Sequence, residues 1–410
     1  MKIRIFTFGC KVNQYDSQMF IELFSKQGYE ISSDDYDVAL VNTCCVTKKA
    51  EKEARMLIRK LSRRAKEVWV TGCLAEKVNM SNEFHGAKIL SRDSLYKKAH
   101  ELGIHTIEKF QGHTRVFVKI VDGCENFCNY CIVPFVRGRV RSRRISEIIQ
   151  EVKVLVENSY KEIVLTGIDL GSFGKDTGET LIDLIGHLNQ VKKLARFRLS
   201  SIEMFHLSDT LIKELLLSDK FCPSFHIPLQ SGSDRILSSM GRSYSFSGYF
   251  NIIKKLRESF VKDITFTTDI MIGFPGETET DFEKTIEAIF RCEFLKVHVF
   301  PFSLHSETKA ALLLERVPAQ VVKERLQKAI SVAEEVSMGV KKKFLRKRCN
   351  VLVEEKLDNF WFGYSENYIP VVISSTQHLA GKMVTICPAE IKKIGNTTYL
   401  FATNCADLLL

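Results

Sequence analysis

Strand-like runs and helical stretches alternate along most of this chain, and that alternation constrains its fold more than any other feature. Between residues 114 and 335, RVFVKIV (115–121), EIVLTG (162–167), RFRLSS (196–201), SFHIPL (224–229), ITFTTDIMIG (264–273) and FLKVHVFPF (294–302) read as strands. Helical patterns lie between them, such as ISEIIQEVKVLVENS (145–159), TLIDLIGHLNQV (180–191), TLIKELLLS (210–218), FNIIKKLRES (250–259) and TDFEKTIEAIFRC (280–292). Such alternation argues for a parallel sheet. About six βα units predict a partial (β/α)6 barrel, with a flat doubly wound sheet as the alternative. Residues 1–105 repeat the rhythm on a smaller scale. IRIFTFG (3–9), DVALVNT (37–43) and EVWVTG (67–72) are its strands, and DSQMFIELFSKQG (16–28) and KKAEKEARMLIRKLSRRAK (48–66) its helices. A charged helical stretch (318–347) leads to residues 349–403, where NVLVEE, YIPVVIS, KMVTICPAEIKKI and TYLFAT show turn signals and no helical period. That region predicts a small all-β barrel of the oligonucleotide-binding kind. The expected fold class is α/β in three domains: a parallel-sheet domain over 1–110, the partial barrel over 111–340, and the small barrel over 341–410.

The 410 residues are 45% apolar and 26% charged, which suits a soluble globular protein. No apolar run approaches the roughly 18 residues of a membrane span. The opening MKIRIFTFGCK alternates like a strand and lacks the apolar core of a signal peptide. A cytoplasmic protein without membrane contact is expected. The formal charge is +10, a modest excess that favours a polyanionic partner. VRGRVRSRR (136–144) concentrates it in Arg137, Arg139, Arg141, Arg143 and Arg144, and KKKFLRKR (341–348) is a second basic run. Each is either a solvated stretch or a phosphate contact.

Twelve cysteines are many for a reducing compartment, where clustered cysteines mean metal or catalysis more often than disulfides. GCENFCNYC places Cys124, Cys128 and Cys131 in a C-x3-C-x2-C array directly after the strand at 115–121. Structural zinc usually takes four ligands, commonly in CxxC pairs, and the nearest histidine in sequence is His113. Three thiolates on a 4Fe–4S cluster instead leave one iron without a protein ligand. Cys10, Cys44 and Cys73 each follow a predicted strand of the N-terminal unit. In a parallel sheet the carboxyl ends of the strands share one edge. These three would therefore converge, either as a second three-thiolate cluster site or as buried structural cysteines. Cys45 adjoins Cys44 and, in an extended chain, points the other way. Cys222, Cys292, Cys349, Cys387 and Cys405 show no metal spacing and read as mostly small buried hydrophobes.

The C-x3-C-x2-C array after the first strand of a βα series resembles the radical S-adenosylmethionine (SAM) enzymes. The chain as a whole resembles the methylthiotransferases among them. FGCKVNQYDS (8–17), VNTCCVT (41–47) and VTGCLAE (70–76) resemble the N-terminal domain of that family. DGCENFCNYCIVPFVRGRVRSR (122–143), LTGIDLGSFG (165–174), RLSSIEM (198–204), HIPLQSGSDRILSSMGRSY (226–244), TDIMIGFPGETETDF (268–282) and VHVFPFS (297–303) resemble its radical-SAM core. VEE and GYSENYIPVVI, within 353–373, are similar to the RNA-binding TRAM barrel. The Lys-Val-Asn-Gln in GCKVNQYDS resembles the tRNA branch that acts on N6-threonylcarbamoyladenosine. Other branches modify N6-isopentenyladenosine, or an aspartate of a ribosomal protein. Three positions depart from the family pattern: Cys45 where Thr is common, Met204 where Pro is common, and FSLHSETKA (302–310), which lacks a Pro-Gly before its Thr.

The resemblance implies two 4Fe–4S clusters, one on Cys124, Cys128 and Cys131 and one on Cys10, Cys44 and Cys73. It implies that SAM is cleaved reductively at the first. The resulting 5′-deoxyadenosyl radical takes hydrogen from C2 of adenosine 37, next to the tRNA anticodon. Sulfur comes through the second cluster, and a second SAM supplies the methyl group. Tyr130 would lie against the SAM adenine. Gly167, Ser201, Glu203, Gln230, Gly273 and Phe274 are further SAM contacts, or else turn and packing residues. The arginines of 137–144 and the run 341–348 would hold phosphates, while Trp361, Tyr364 and Tyr368 either stack on bases or belong to the barrel's core. The implied partners are a tRNA anticodon stem-loop and a reducing electron-donor protein, with the chain a monomer.

Overall fold

The computed structural model describes residues 1–77, 84, 86–260, 263–403 and 407–409. Five parallel strands form the N-terminal sheet: β1 (Lys2–Thr7), β2 (Glu30–Ile31), β3 (Val38–Thr43), β4 (Glu67–Gly72) and β5 (Ala87–Ile89), in the order β2–β1–β3–β4–β5. The three longer strands are those the sequence predicts; β2 and β5 are too short to leave a period. Every residue of β3 is buried, as a central strand covered on both faces requires. The first helix spans Lys11–Lys26 and starts at Cys10, well before its apolar period becomes visible. Its first turns bury Asn13, Asp16, Ser17 and Gln18, polar groups that hydrogen-bond inward and so hide the helix from a hydrophobicity reading.

The central strands are β6 (Arg115–Asp122), β7 (Arg141–Ser142), β8 (Glu162–Gly167), β9 (Arg196–Leu199), β10 (Ser224–His226), β11 (Thr265–Ile272) and β12 (Lys296–Pro301). β6, β8 and β9 pair in parallel, as do β10, β11 and β12. A bridge between Ser201 and His226 joins the two halves. Six parallel strands thus follow one another in chain order, with β7 a short antiparallel edge on β6. A doubly wound sheet would reverse its order at a switch point. None occurs here, and the arrangement is a partial barrel. Helices such as Ile145–Glu157 pack Ile148, Val152 and Leu155 onto it.

A helix over Ala319–Lys342 leads to the C-terminal sheet. Its strands are β13 (Cys349–Leu357), β14 (Phe360–Ser365), β15 (Pro370–Ile373), β16 (Met383–Ile386), β17 (Glu390–Ile394), β18 (Thr397–Ala402) and β19 (Asp407–Leu409). They form one seven-stranded, mainly antiparallel sheet around Val351, Val353, Ile369, Val371, Val384 and Leu400. Trp361 is buried in this core. Tyr364 and Tyr368 stack on each other at 4.8 Å, and Arg115 lies 4.5 Å from the Tyr364 ring centre. The two tyrosines therefore belong to the junction between the sheet and the barrel. Of the cysteines expected to be buried, Cys222, Cys292 and Cys349 are, whereas Cys387 is exposed just after β16, and Cys405 lies outside the described residues.

Candidate active site

The loop after β6 carries Cys124, Cys128 and Cys131. These cysteines line a cavity of 320 Å³ together with Tyr130, Ser201, Glu203 and Gln230, which come from the loops after β6, β9 and β10. The cavity thus lies at the carboxyl end of the barrel, where barrel enzymes place their chemistry. The loop's entry depends on Gly123, whose φ is +79°. A Cβ there would stand 1.9 Å from the Arg139 carbonyl oxygen, so only glycine allows the approach. Asn129 fixes the loop's far side through its backbone N–H to Met240 O (2.9 Å) and its amide to Ser239 O (3.0 Å).

Burial pushes the Cys124 thiol up to about 11 and Cys131 to about 12. The buried Arg242 opposes that effect at Cys131. It donates to Cys128 Sγ at 3.3 Å, to Tyr244 Oη at 2.9 Å and to the Glu203 carboxylate. Burial raises the Glu203 pKa, and Arg242 counters it. Gln230 holds φ at +70°, uncommon for a residue with a side chain, and its Oε1 is buried without a hydrogen-bond partner. A buried acceptor left open at a cavity wall suits a ligand that brings its own donor.

The second triad forms as strand order requires. Cys10, Cys44 and Cys73 follow β1, β3 and β4, adjacent strands of one parallel sheet. Asn13 Nδ2 donates to Phe8 O (2.7 Å) and Thr43 O (3.0 Å), and Asn42 Nδ2 to Asn13 O (2.9 Å), which ties the Cys10 and Cys44 loops together. Gly9, at φ +94°, lets them touch: a Cβ there would lie 2.7 Å from Cys44 Cβ. Burial raises the Cys44 thiol to about 12, and the neighbouring Cys73 and Cys10 add to the shift. Cys45 is enclosed among Val41, Ala54, Leu74 and Ile132, so burial pushes its thiol up as well. Arg137 donates its Nε–H to Cys73 Sγ at 3.3 Å. Val46 and Thr47, which follow Cys44 and Cys45, line the same cavity as Cys124, Cys128 and Cys131. Both cysteine loops therefore border one space.

Among the described residues, no three Cys, His, Asp or Glu side chains close on a single point as the ligands of one ion do. A cubane cluster takes each thiolate on a different iron and needs no such convergence. Three cysteine thiols with one ligand position left open are a donor set that such a cluster takes.

Residues 118–289 match the radical SAM superfamily, and residues 2–90 match a family described as uncharacterized protein family UPF0004. The chain is 37% identical over 391 residues to the threonylcarbamoyladenosine tRNA methylthiotransferase MtaB of Thermotoga maritima, covering 90% of each protein. It belongs to the radical-SAM methylthiotransferases. MtaB of Bacillus subtilis is 33% identical, with 93% of this chain and 92% of that protein covered. The tRNA-2-methylthio-N(6)-dimethylallyladenosine synthase of Acetivibrio thermocellus is 32% identical, with 93% and 87% covered. The radical SAM methyltransferase TsrM of Kitasatospora setae shares the fold, with a TM-score of 0.56 at 12% identity over 75% of this chain and 76% of that one.

As a radical-SAM methylthiotransferase the chain is an enzyme that uses a 4Fe–4S cluster and SAM. Within it, the basic run at 137–144 is neither uniformly solvated nor uniformly free to hold phosphates. Arg137 is buried against Asp122, Asp16, Asn13 and Cys73. Arg143 Nη1 reaches Tyr15 Oη and Lys119 O, both at 3.0 Å, and the Glu151 carboxylate at 2.5 Å. Arg137 ends the short helix Val133–Arg137 and Arg143 follows β7, and the carboxylates of Asp16, Asp122 and Glu151 draw these two inward. Only Arg139, Arg141 and Arg144 are exposed, with Arg141 3.2 Å from Asp93.

Three expected SAM contacts stand apart from the cavity lining. Gly167 packs on Val121, where a Cβ would lie 2.4 Å from a methyl group. Gly273 donates its N–H to Glu277 at 2.6 Å. Phe274 is fully buried in a cluster with Ile236, Met240 and Met271, and Tyr130 packs against that cluster.

The run 341–348 is also divided. Lys341 is 6% exposed and donates to Thr398 Oγ1 at 2.6 Å, while Lys343 and Lys347 pair with Glu293 and Asp263. Lys341 and Lys342 line a groove of 910 Å³ between the long helix and the C-terminal sheet, with Lys296, Lys393, Phe362 and Tyr399. Lys296 begins β12, and Phe300 and Pro301 at its other end line the cysteine cavity.

Proposed function

We propose that this methylthiotransferase acts on tRNA, at C2 of N6-threonylcarbamoyladenosine 37 in the anticodon stem-loop. The observation that carries the reading is one cavity lined by Cys124, Cys128 and Cys131 and, from the loop that carries Cys44, by Val46 and Thr47. In this reading Cys124, Cys128 and Cys131 hold the radical-SAM cluster, and Cys10, Cys44 and Cys73 hold a second 4Fe–4S cluster. Bound there, the clusters and SAM supply the radical, sulfur and methyl group that side chains cannot.

The chain's own residues bind and orient. Glu203, held by Arg242, and Gln230, with its open Oε1, offer acceptors to donors on SAM. Ser201 adds a hydroxyl, and the Tyr130 ring offers a face for the adenine. Ile132, Val133, Met271 and Phe300 make the rest of the wall largely apolar and keep water from the reacting atoms. Gly167, Gly273 and Phe274 act one layer back, setting the shape of that wall. The lysine-lined groove takes the RNA backbone, and β12 runs from it to the cavity. Four residue steps at about 3.3 Å separate Lys296 from Phe300 along this strand, about 13 Å, a short reach for an unstacked loop.

Relatives named for tRNA support the substrate class. Those named for threonylcarbamoyladenosine, together with the Lys-Val-Asn-Gln motif, support the branch. The relatives named for N(6)-dimethylallyladenosine align over similar lengths at 31–33% identity and support a second reading, the isopentenyl substrate. Nucleoside mass spectrometry decides between them, on tRNA from a host that lacks its own methylthiotransferases and expresses this chain. A methylthio group on threonylcarbamoyladenosine is expected. The same group on isopentenyladenosine would move the substrate to the other branch, and no methylthio nucleoside from an intact enzyme would contradict a tRNA substrate.

A further inference from the structure

Each three-cysteine site has one buried arginine aimed at one of its sulfurs. Arg242 reaches Cys128 and Arg137 reaches Cys73, both at 3.3 Å. The two arginines differ in origin. Arg242 and Cys128 both belong to the partial barrel. Arg137 closes the short helix Val133–Arg137 just after Cys131, yet its side chain ends at the third cysteine of the other site.

Every edge of this guanidinium is used. Nη1 takes both oxygens of Asp122, at 2.9 and 3.0 Å. Nη2 donates to Asn13 and, at 3.3 Å, to Asp16. Nε is left for the sulfur. Asp122 directly precedes Gly123 and Cys124, and Asn13 lies in the first helical turn after Cys10. One 2% exposed side chain therefore fixes the elements that carry Cys10, Cys73 and Cys124. Lys119 and Arg92 face the same carboxylates from the other side, Lys119 beside Asp16 at 2.5 Å and Arg92 3.8 Å from Asp122. With Glu76 4.0 Å from Arg92, three cations face three carboxylates, and what reaches the sulfur is a directed N–H. A planar fork can hold carboxylates and still point a third edge elsewhere; a lysine cannot. Hydrogen bonds to the sulfurs of an iron–sulfur cluster favour its reduced, more negative form.

We propose that Arg137 is a positioning residue for the second site: it holds Cys73 in place and raises the reduction potential of the group bound there. The site in the N-terminal sheet is completed by a residue of the radical-SAM loop. This rests on the reading that Cys10, Cys44 and Cys73 hold a cluster.

The test uses the full chain with Cys124→Ala, Cys128→Ala and Cys131→Ala, which leaves only the second site for reconstitution. If this parent takes up no cluster, the two-cluster reading fails and Arg137 loses its role with it. If it does, redox titration followed by electron paramagnetic resonance is expected to give a lower midpoint in Arg137→Lys and a lower one still in Arg137→Gln. The glutamine variant leaves Asp122 and Asp16 buried without their partner and risks unfolding, so a second measurement uses only the parent and its lysine variant. With 15N-arginine in the parent, pulsed paramagnetic resonance of the reduced cluster is expected to show a 15N coupling, and Arg137→Lys to abolish it. A cluster with no 15N coupling and a midpoint unchanged in Arg137→Lys would overturn the proposal.

Discussion

Arg196 places its Nε 2.6 Å from the Glu162 carboxylate and its other two nitrogens on the carbonyls of Asn350 (2.9 Å) and Tyr364 (3.0 Å). Arg198 repeats the arrangement, from Glu162 to the carbonyls of Glu366 and Ser365. A single buried carboxylate of β8 thus docks the C-terminal sheet on the barrel.

That dock has a pH signature. The neighbouring arginines, Arg196 foremost, outweigh burial and hold Glu162 at about 2, against an ordinary value of 4.5. A depressed carboxylate contributes stability that is fully present above its unfolded pKa and is lost as pH falls through the folded one. The contribution should fade between about pH 4.5 and pH 2. Glu162→Gln leaves two arginines buried without their counter-charge, a change that typically costs about 3–5 kcal/mol. Denaturant unfolding should show the variant much weaker than wild type at pH 7, with the gap narrowing at pH 3. An equal gap at both pH values would contradict the assignment.

At the cavity, Arg242 and Glu203 act as a pair, but their loss has unequal effects. Arg242→Met leaves Glu203 charged and buried, whereas Glu203→Gln leaves an arginine still bonded to Cys128 and Tyr244. Calorimetry should show SAM binding weakened at least tenfold in both, about 1.4 kcal/mol. Thermal unfolding should show a lower midpoint for Arg242→Met than for Glu203→Gln.

Much of this was readable from sequence, and what was hidden had physical causes. Cys10, Cys44 and Cys73 could be placed together because each ends a strand, and parallel strands share an edge. Four of the six barrel strands stood out because they run for six to eight residues, whereas β9 and β10, four and three residues long, were marked by their place between helical patterns. β14, FWFGYS, did not, because it breaks its apolar run with Gly363 and follows closely on β13. Arg137 and Arg143 were hidden because a run of arginines looks uniformly solvated. What turns two of them inward is Asp16, Asp122 and Glu151, each distant in the chain or unremarkable in composition. Arg242 sits in the motif MGRSY, where nothing local shows that it faces Glu203. Gly167 and Gly273 signalled close approach, but sequence does not say to what. The partners are Val121 at Gly167 and Val322 at Gly273.

RNA binding should be salt-sensitive, and the groove lysines should account for part of the slope. Lys342 and Lys393 are exposed in that groove. Alanine at each should weaken binding of an anticodon stem-loop and reduce the slope of log affinity against log salt by about 0.7–0.9. Alanine at Arg143, which is satisfied internally, should lower stability and leave the slope unchanged. Filter binding across a salt series checks both. A slope unaffected by the groove lysines would place the RNA elsewhere.

The central claim is a division of labour between the two cysteine sites. Its most direct test is one reaction mixture assayed for both 5′-deoxyadenosine and methylthiolated nucleoside, with reductant, SAM and tRNA, for wild type, Cys124→Ala and Cys10→Ala. Cys124→Ala should yield neither product, and Cys10→Ala should still yield 5′-deoxyadenosine without the methylthio nucleoside. Methylthio product from Cys10→Ala at the wild-type level would contradict the account.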